Sequence, residues 1–443
     1  MLVYSITVVL EVLTDGCTYH SLCFPGQTLN QKSAMMHAAL GIWILSALIC
    51  VGRGDHHHGD QDTALDNSAN SVSLVAAANK EFAYRLYSQL AAHADSQGKN
   101  IFFSPSSVSV ALATLSVGAR EETHKQIFSG LGFNSTLLTQ ADVNQAFHTL
   151  LEKANKTSGE DTSEGTAVFV DDNFKPRPEF LETLKQSYFA DGFTVDFANA
   201  ADSANTINEY VKGKTNGKIE ELVSNPDPMT VMYLISYIYY KGKWATPFEP
   251  ELTKEDTFTV DENTKVQVQM MNKEKRFDIY YDQAINTSVL HLPFNSSYSM
   301  LLMLPDDMAT LEKAICPSHV TRWLKWMKSR TYDVYIPKFS IKTSYTLNDV
   351  LTAMGMTDMF TERADLSGIA QDQKLTVSEV VHQATLDVDE AGATAAAATG
   401  IGITLMSFRH VPVLKFDRPF MVMIIERNTE DILFMGKIVN PKI

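Results

Sequence analysis

Apolar residues recur at every fourth position at Ala78, Phe82, Leu86 and Leu90, the spacing of one helix face, and Gly98 closes that segment. Ordered structure is therefore expected to begin near Val75. Ser104-Pro105-Ser106 opens a second helix whose apolar face includes Val108, Leu112 and Leu115, with proline in the first turn, where it costs no hydrogen bond. Farther on the period changes. The run VMYLISYIYY (231–240) has no wet face and predicts a strand covered on both sides of a sheet. SMLLMLPDD (299–307) and YDVYIPKFSI (332–341) predict further strands. FMVMII (420–425), the polar turn ERNTED and ILFMGKIV (432–439) predict a hairpin. Helices and strands mix without regular alternation, and no repeat or linker rich in Pro, Gly or Ser divides the chain. One large α+β domain is the economical reading.

A single stretch fits neither period. In DEAGATAAAATGIGITLMSFRH (389–410), every residue from Gly392 to Gly400 is Gly, Ala or Thr. Such side chains bury little apolar area, at about 25 cal/mol per Å², yet the stretch lies between two strand-like segments. A flexible linker would tolerate charges here, but none stands between Ala391 and Phe408.

Toward the other end, residues 35–54 carry an apolar core from Ala38 to Val51, too short to span a bilayer and followed by small residues. It reads as a secretory signal cleaved after Gly52 or Gly54, with translation starting at Met35 or Met36 and residues 1–34 an over-extended start. Residues 55–74 then form a flexible polar lead-in, with His56, His57 and His58 in a solvated tail, and the folded domain covers 75–443. Cys17, Cys23 and Cys50 fall in the removed part, which leaves Cys316 alone and no internal disulfide. Asn134, Asn155, Asn286 and Asn295 head four glycosylation sequons, and together with the signal they predict a secreted glycoprotein.

Hydrophobic residues are 45% and charged residues 20% of the chain, an ordinary globular composition. A net charge of −15 argues against nucleic acid or anionic membrane as partner. Chemistry-bearing motifs are missing. Gly213 to Ile219 mimics a phosphate loop but is one residue short between glycines and has Ile219 where a Ser or Thr should hold magnesium. No nucleophile elbow, zinc-protease helix or Cys/His cluster occurs. His382 sits in a strand-like run and reads as a hydrogen-bonded core histidine. No enzyme, cofactor or metal is expected.

Several blocks together resemble the serpins, the antitrypsin-like branch most closely. They are Asn100-Ile-Phe-Phe-Ser104-Pro105-Ser-Ser107 with Ala111-Leu112 and Gly118-Ala119, then Thr215-Asn-Gly217-Lys218-Ile219. Tyr240-Lys-Gly242-Lys-Trp244 with Pro247-Phe248 and Ala364-Asp-Leu366-Ser-Gly368 follow. Phe416-Asp-Arg-Pro419-Phe420, Phe434-Met-Gly436-Lys and Asn440-Pro441 complete the set. The similarity runs from about residue 76 to 443.

The resemblance implies a single α+β serpin domain with mixed sheets, about nine helices and an exposed reactive-centre loop at about 390–412. In that reading the small-residue stretch is a strand waiting to join a sheet. Ala393, Ala395, Ala397 and Thr399 would face inward after the hinge at Glu390 and Gly392, since alternate side chains of a strand share a face. Small residues enter without overpacking, whereas a charge or proline on that phase would cost several kcal/mol. Family spacing from Glu390 puts the scissile bond at Met406-Ser407, with Phe408 and Arg409 as alternative specificity residues. Ser104, Ser107 and His382 fall where serpins keep a polar cluster that gates the sheet; Ser236 replaces the usual Asn there, and Trp244 falls near the top of the same sheet. The implied activity is suicide inhibition of elastase- or chymotrypsin-like serine proteases through a covalent acyl-enzyme, by a secreted, plasma-like monomer. The alternative is a non-inhibitory serpin carrying a small hydrophobic hormone. Arg120 to Lys125, which resembles a heparin-binding segment, is mixed in charge, which argues against glycosaminoglycan binding.

Overall fold

The computed structural model describes the backbone of residues 62–157, 162–370, 374–391 and 411–443, and within these the side chains from residue 69 onward other than that of residue 157. Contacts divide the chain into residues 1–67 and 68–443, and the fold below is that of the second unit, whose first helix has its opening residues 62–67 in the first. Among the described residues it holds nine α-helices. These are α1 (Asp62–Ala92), α2 (Pro105–Gly118), α3 (Glu121–Leu131), α4 (Gln140–Thr157), α5 (Pro178–Tyr188), α6 (Ala200–Lys214), α7 (Met308–Ala314), α8 (Pro317–Trp326) and α9 (Asn348–Ala353). The strands are β1 (Ile101–Phe103), β2 (Thr162–Asp171), β3 (Asp191–Val195), β4 (Met232–Tyr240), β5 (Lys254–Thr259), β6 (Lys265–Asp282) and β7 (Thr287–Pro293). They continue with β8 (Tyr298–Pro305), β9 (Lys328–Pro337), β10 (Phe339–Thr346), β11 (Glu379–Val388), β12 (Val413–Lys415), β13 (Phe420–Glu426) and β14 (Ile432–Ile438).

Two sheets result. A nine-stranded sheet runs β1-β14-β13-β8-β7-β6-β9-β12, with β5 paired to β6, and a five-stranded sheet runs β10-β11-β4-β2-β3. The run at 232–240, apolar but for Ser236 and the tyrosine hydroxyls, becomes β4, buried at every position in the middle of the smaller sheet. Met232 and Leu234 face the main core, while Tyr233, Ile235 and Tyr237 pack with Ile207 and Val211 of α6 on the other side. The expected strand at 299–307 is β8, and the expected hairpin is β13–β14.

Two expectations change. YDVYIPKFSI is two strands and not one: β9 ends at Pro337, which has no N–H to extend the ladder, and β10 starts at Phe339 in the other sheet. The first helix starts at Asp62, upstream of Val75, because polar residues can extend a helix whose apolar stripe begins later. The second helix opens as expected, with the Ser104 hydroxyl accepting from the Ser107 N–H at the N-cap.

The motifs that carried the resemblance meet one another in space. Asn100 donates to the Asn440 carbonyl at 2.6 Å and accepts from the Val439 and Asn440 amides at 2.7 and 2.9 Å. Gly118 accepts from the Gly368 amide at 3.0 Å, and a Cβ at Gly118 would run into Ile369. At Gly436 a Cβ would collide with the Ile101 carbonyl across the β1–β14 pair, so only glycine lets these strands close.

Candidate functional site

The smaller sheet has a seam. β4 and β11 pair in parallel, in register from Glu379 opposite Tyr233 to Leu386 opposite Tyr240. β4 is antiparallel to β2, and β11 is antiparallel to β10. Parallel ladders are slightly weaker per residue than antiparallel ones. The N-terminus of α2 lies behind the seam, and four polar residues meet there in an otherwise apolar interior: Ser104, Ser107, Ser236 and His382, the last fully buried.

Their hydrogen bonds form a continuous chain. The Ser104 backbone N–H donates to His382 Nε2 at 3.0 Å, so that nitrogen is the acceptor and the proton sits on Nδ1. Nδ1–H then donates to Ser236 Oγ at 3.0 Å, and the Ser236 and Ser107 hydroxyls share a hydrogen bond of 2.7 Å in which either can donate. Burial drives the imidazole pKa down to about 3, so the ring stays neutral. A serine 3.0 Å from a histidine resembles a nucleophile and its base. Here the ring presents its N–H to the hydroxyl and its lone pair to a backbone amide. The pair ties α2 to both strands of the seam. The short Ser236 side chain suffices because Ser107 approaches closely enough to complete the link.

Trp244 does not join this network. Its indole N–H donates to the Asp389 carbonyl at 2.8 Å, just past the end of β11, and its ring stacks on Phe294 at 4.7 Å. Glu390 is buried beside it, with its carboxylate accepting from Lys338 Nζ at 2.8 Å and Thr253 Oγ1 at 2.9 Å. Its carbonyl accepts from the Phe248 amide at 2.9 Å. Burial alone would raise the Glu390 carboxyl pKa; the Lys338 hydrogen bond and charge, with the Thr253 hydroxyl, outweigh it and hold the group below its usual value. Asp389 pairs with Lys241 at 2.8 Å. Sequence reading missed the Lys338 anchor. Its one signal was a lysine directly after Pro337, inside a run taken as a single strand.

Gly392, Ala393, Ala395, Ala397, Thr399, Met406 and Ser407, with the alternatives Phe408 and Arg409, lie outside the described residues, as does the whole signal segment. The four sequon asparagines that are described, Asn134, Asn155, Asn286 and Asn295, are all exposed. The false phosphate loop closes α6 at its C-terminal end, where Thr215 Oγ1 bonds the Val211 carbonyl and the Ile219 amide. A helix C-terminus repels anions, so the motif is a cap. Among the described residues no helix is long and apolar enough to cross a membrane.

Comparison with known proteins joins these features. The serpin (serine protease inhibitor) family profile matches residues 77–441. The chain belongs to the serpin family. The rat (Rattus norvegicus) protein alpha-1-antiproteinase is 38% identical over 406 residues, spanning 90% of this chain and 98% of its own. Among solved structures, human glycosylated kallistatin superposes with a TM-score of 0.78 at 38% identity, over 84% of this serpin and 99% of that chain. Human thyroxine-binding globulin complexed with thyroxine superposes with a TM-score of 0.78 at 34% identity, over 84% and 100%. In this serpin the seam, the His382 network and the Glu390 anchor therefore sit in one established fold, with the small-residue stretch continuing directly from β11.

Proposed function

We propose that this serpin is a secreted inhibitor of serine proteases that acts as a suicide substrate. The protease serine adds to the Met406 carbonyl carbon, the amide bond to Ser407 breaks, and the new amine end leaves while Met406 remains an ester of the enzyme. The freed segment from Gly392 onward turns back along β11 and enters between β4 and β11. A strand returning from β11 runs antiparallel to it, and hence antiparallel to β4 as well, since those two are parallel. Insertion replaces one parallel ladder by two antiparallel ones. The tethered protease is carried along, and distortion of its catalytic geometry stalls deacylation, because small misplacements cost large rate factors.

The observation that carries this reading is the parallel β4–β11 seam whose β11 leads straight into a charge-free stretch with small residues on alternate positions. The His382 network is read as the latch of that seam and Glu390 as the fixed end of the hinge. Met406 suits a protease with a medium apolar pocket, elastase-like or chymotrypsin-like. Secretion is supported by the signal-like segment, the four exposed sequons and the glycosylated kallistatin neighbour. Hormone carriage is the second reading, supported by the thyroxine complex of a 34% identical neighbour. Incubation with neutrophil elastase separates the two. Inhibition gives an SDS-stable complex and a released fragment beginning at Ser407. A fragment beginning at Arg409 or His410 moves the specificity residue. Cleavage without a complex overturns inhibition and favours the carrier.

A further inference from the structure

A partly enclosed cavity of about 90 Å³ lies where α1, α2, α4, β2 and the β13–β14 hairpin meet. Phe147, Leu150 and Leu151 of α4, with Leu433, give it apolar walls. The face of β2 that turns inward reads Thr162, Glu164, Thr166, Val168 and Val170, since alternate residues share a face. Val168 and Val170 join the main core, whereas Glu164 sets a carboxylate in the cavity lining. Its Oε2 is buried, and no described donor reaches it.

The other acids on the lining are satisfied. Glu426 accepts from the Asn428 and Thr429 amides at 2.8 and 2.7 Å. Burial raises the Asp431 pKa, but this carboxylate has a donor, accepting from the Thr429 hydroxyl at 2.7 Å, and the charges of Lys80 and Lys153 partly offset the burial. Lys80 itself donates to the Thr429 carbonyl. Glu164 has no such support: burial alone acts on it and raises its pKa to about 7. A buried acceptor without a donor costs free energy that a partner would recover.

We propose that this cavity is a binding site for a small organic ammonium ion, with the N–H donors on Glu164 and the apolar body against α4. Size limits the occupant. A water needs roughly 10–15 Å³ of such volume and a cavity of roughly 150 Å³ admits benzene, so this one takes about four to six non-hydrogen atoms. Drug-sized ligands need roughly 300–1,000 Å³, which sets this site apart from hormone carriage and makes it independent of the inhibitory reading.

The test is calorimetry on the whole protein with isobutylamine and its neutral isostere isobutanol. Isobutylamine should bind with one-to-one stoichiometry. Isobutanol, and isobutylamine with the Glu164→Gln variant, should bind about tenfold more weakly, the loss expected for one charge-assisted hydrogen bond. Ala154→Leu, which fills the cavity from α4, should abolish binding without lowering the melting temperature, and it carries the test if Glu164→Gln misfolds. Absence of isobutylamine binding, equal binding of isobutanol, or unchanged binding by a folded Glu164→Gln would overturn the proposal. So would a crystal soaked in isobutylamine that shows water alone beside Glu164.

Discussion

His382 joins α2 to β4 through its two ring nitrogens, accepting from the Ser104 amide at Nε2 and donating from Nδ1 to Ser236, which is in turn hydrogen-bonded to Ser107. The folded-state pKa of about 3 lies below the ordinary value of 6.5, so the unfolded chain binds the extra proton. Its stabilising contribution is complete above about pH 6.5 and is lost as pH falls toward about 3. At about 1.4 kcal/mol per unit, this predicts a loss of roughly 2 kcal/mol between pH 6.5 and about pH 5. Glu164, whose pKa burial raises to about 7, changes stability in the opposite sense over the same window, so the His382 contribution is read in urea unfolding as the wild-type loss minus the His382→Gln loss between pH 6.5 and about pH 5. Glu390 also loses its contribution on acidification, but only below its ordinary value of 4.5, outside this window. Ser236→Ala strands both the Nδ1–H of His382 and the Ser107 hydroxyl, and should cost about 1–3 kcal/mol. A double-mutant cycle with Ser107→Ala should return a coupling that an isolated surface serine would not.

The strand elements were readable where both faces are dry. β4, β8 and the β13–β14 hairpin announce themselves because continuous burial demands continuous apolar sequence. The split at Pro337–Lys338 was not readable, since two short strands in different sheets leave the same apolar run as one longer strand. Ser104, Ser107, Ser236 and His382 were named from family likeness, but their hydrogen-bond order depends on which residues face each other across β4, β11 and α2. Lys338 escaped because its partner Glu390 is distant in sequence. For the loop, the alternation itself makes a prediction at this scale. Ala395→Arg, on the phase that would enter the sheet, should convert most encounters with elastase into plain cleavage, because a buried unpaired charge costs several kcal/mol. Thr394→Arg, on the opposite phase, should keep complex formation. The ratio of SDS-stable complex to cleaved serpin measures both, and equal behaviour of the two variants would remove the strand-insertion reading.

For the molecule as a whole, the large core under the smaller sheet does the work that disulfides do in small secreted domains, since Cys316 is not in a disulfide and Cys17, Cys23 and Cys50 precede the fold. The smaller sheet has two parallel ladders, β2–β3 at its edge and β4–β11 in its middle, and in the proposed mechanism the inner one, between two almost wholly buried strands, is the ladder that exchanges. That exchange is the central claim, and a reversible lock across the seam tests it most directly. Ile235 and Val381 are register neighbours on β4 and β11 with side chains in the same cluster, so cysteines there can form a disulfide in the folded protein. In a Cys316→Ser background, the reduced Ile235→Cys/Val381→Cys protein should form an SDS-stable complex with elastase. The oxidised form of the same protein should be cut in the loop and release active protease. An oxidised form that still traps elastase would mean that the loop does not enter between β4 and β11.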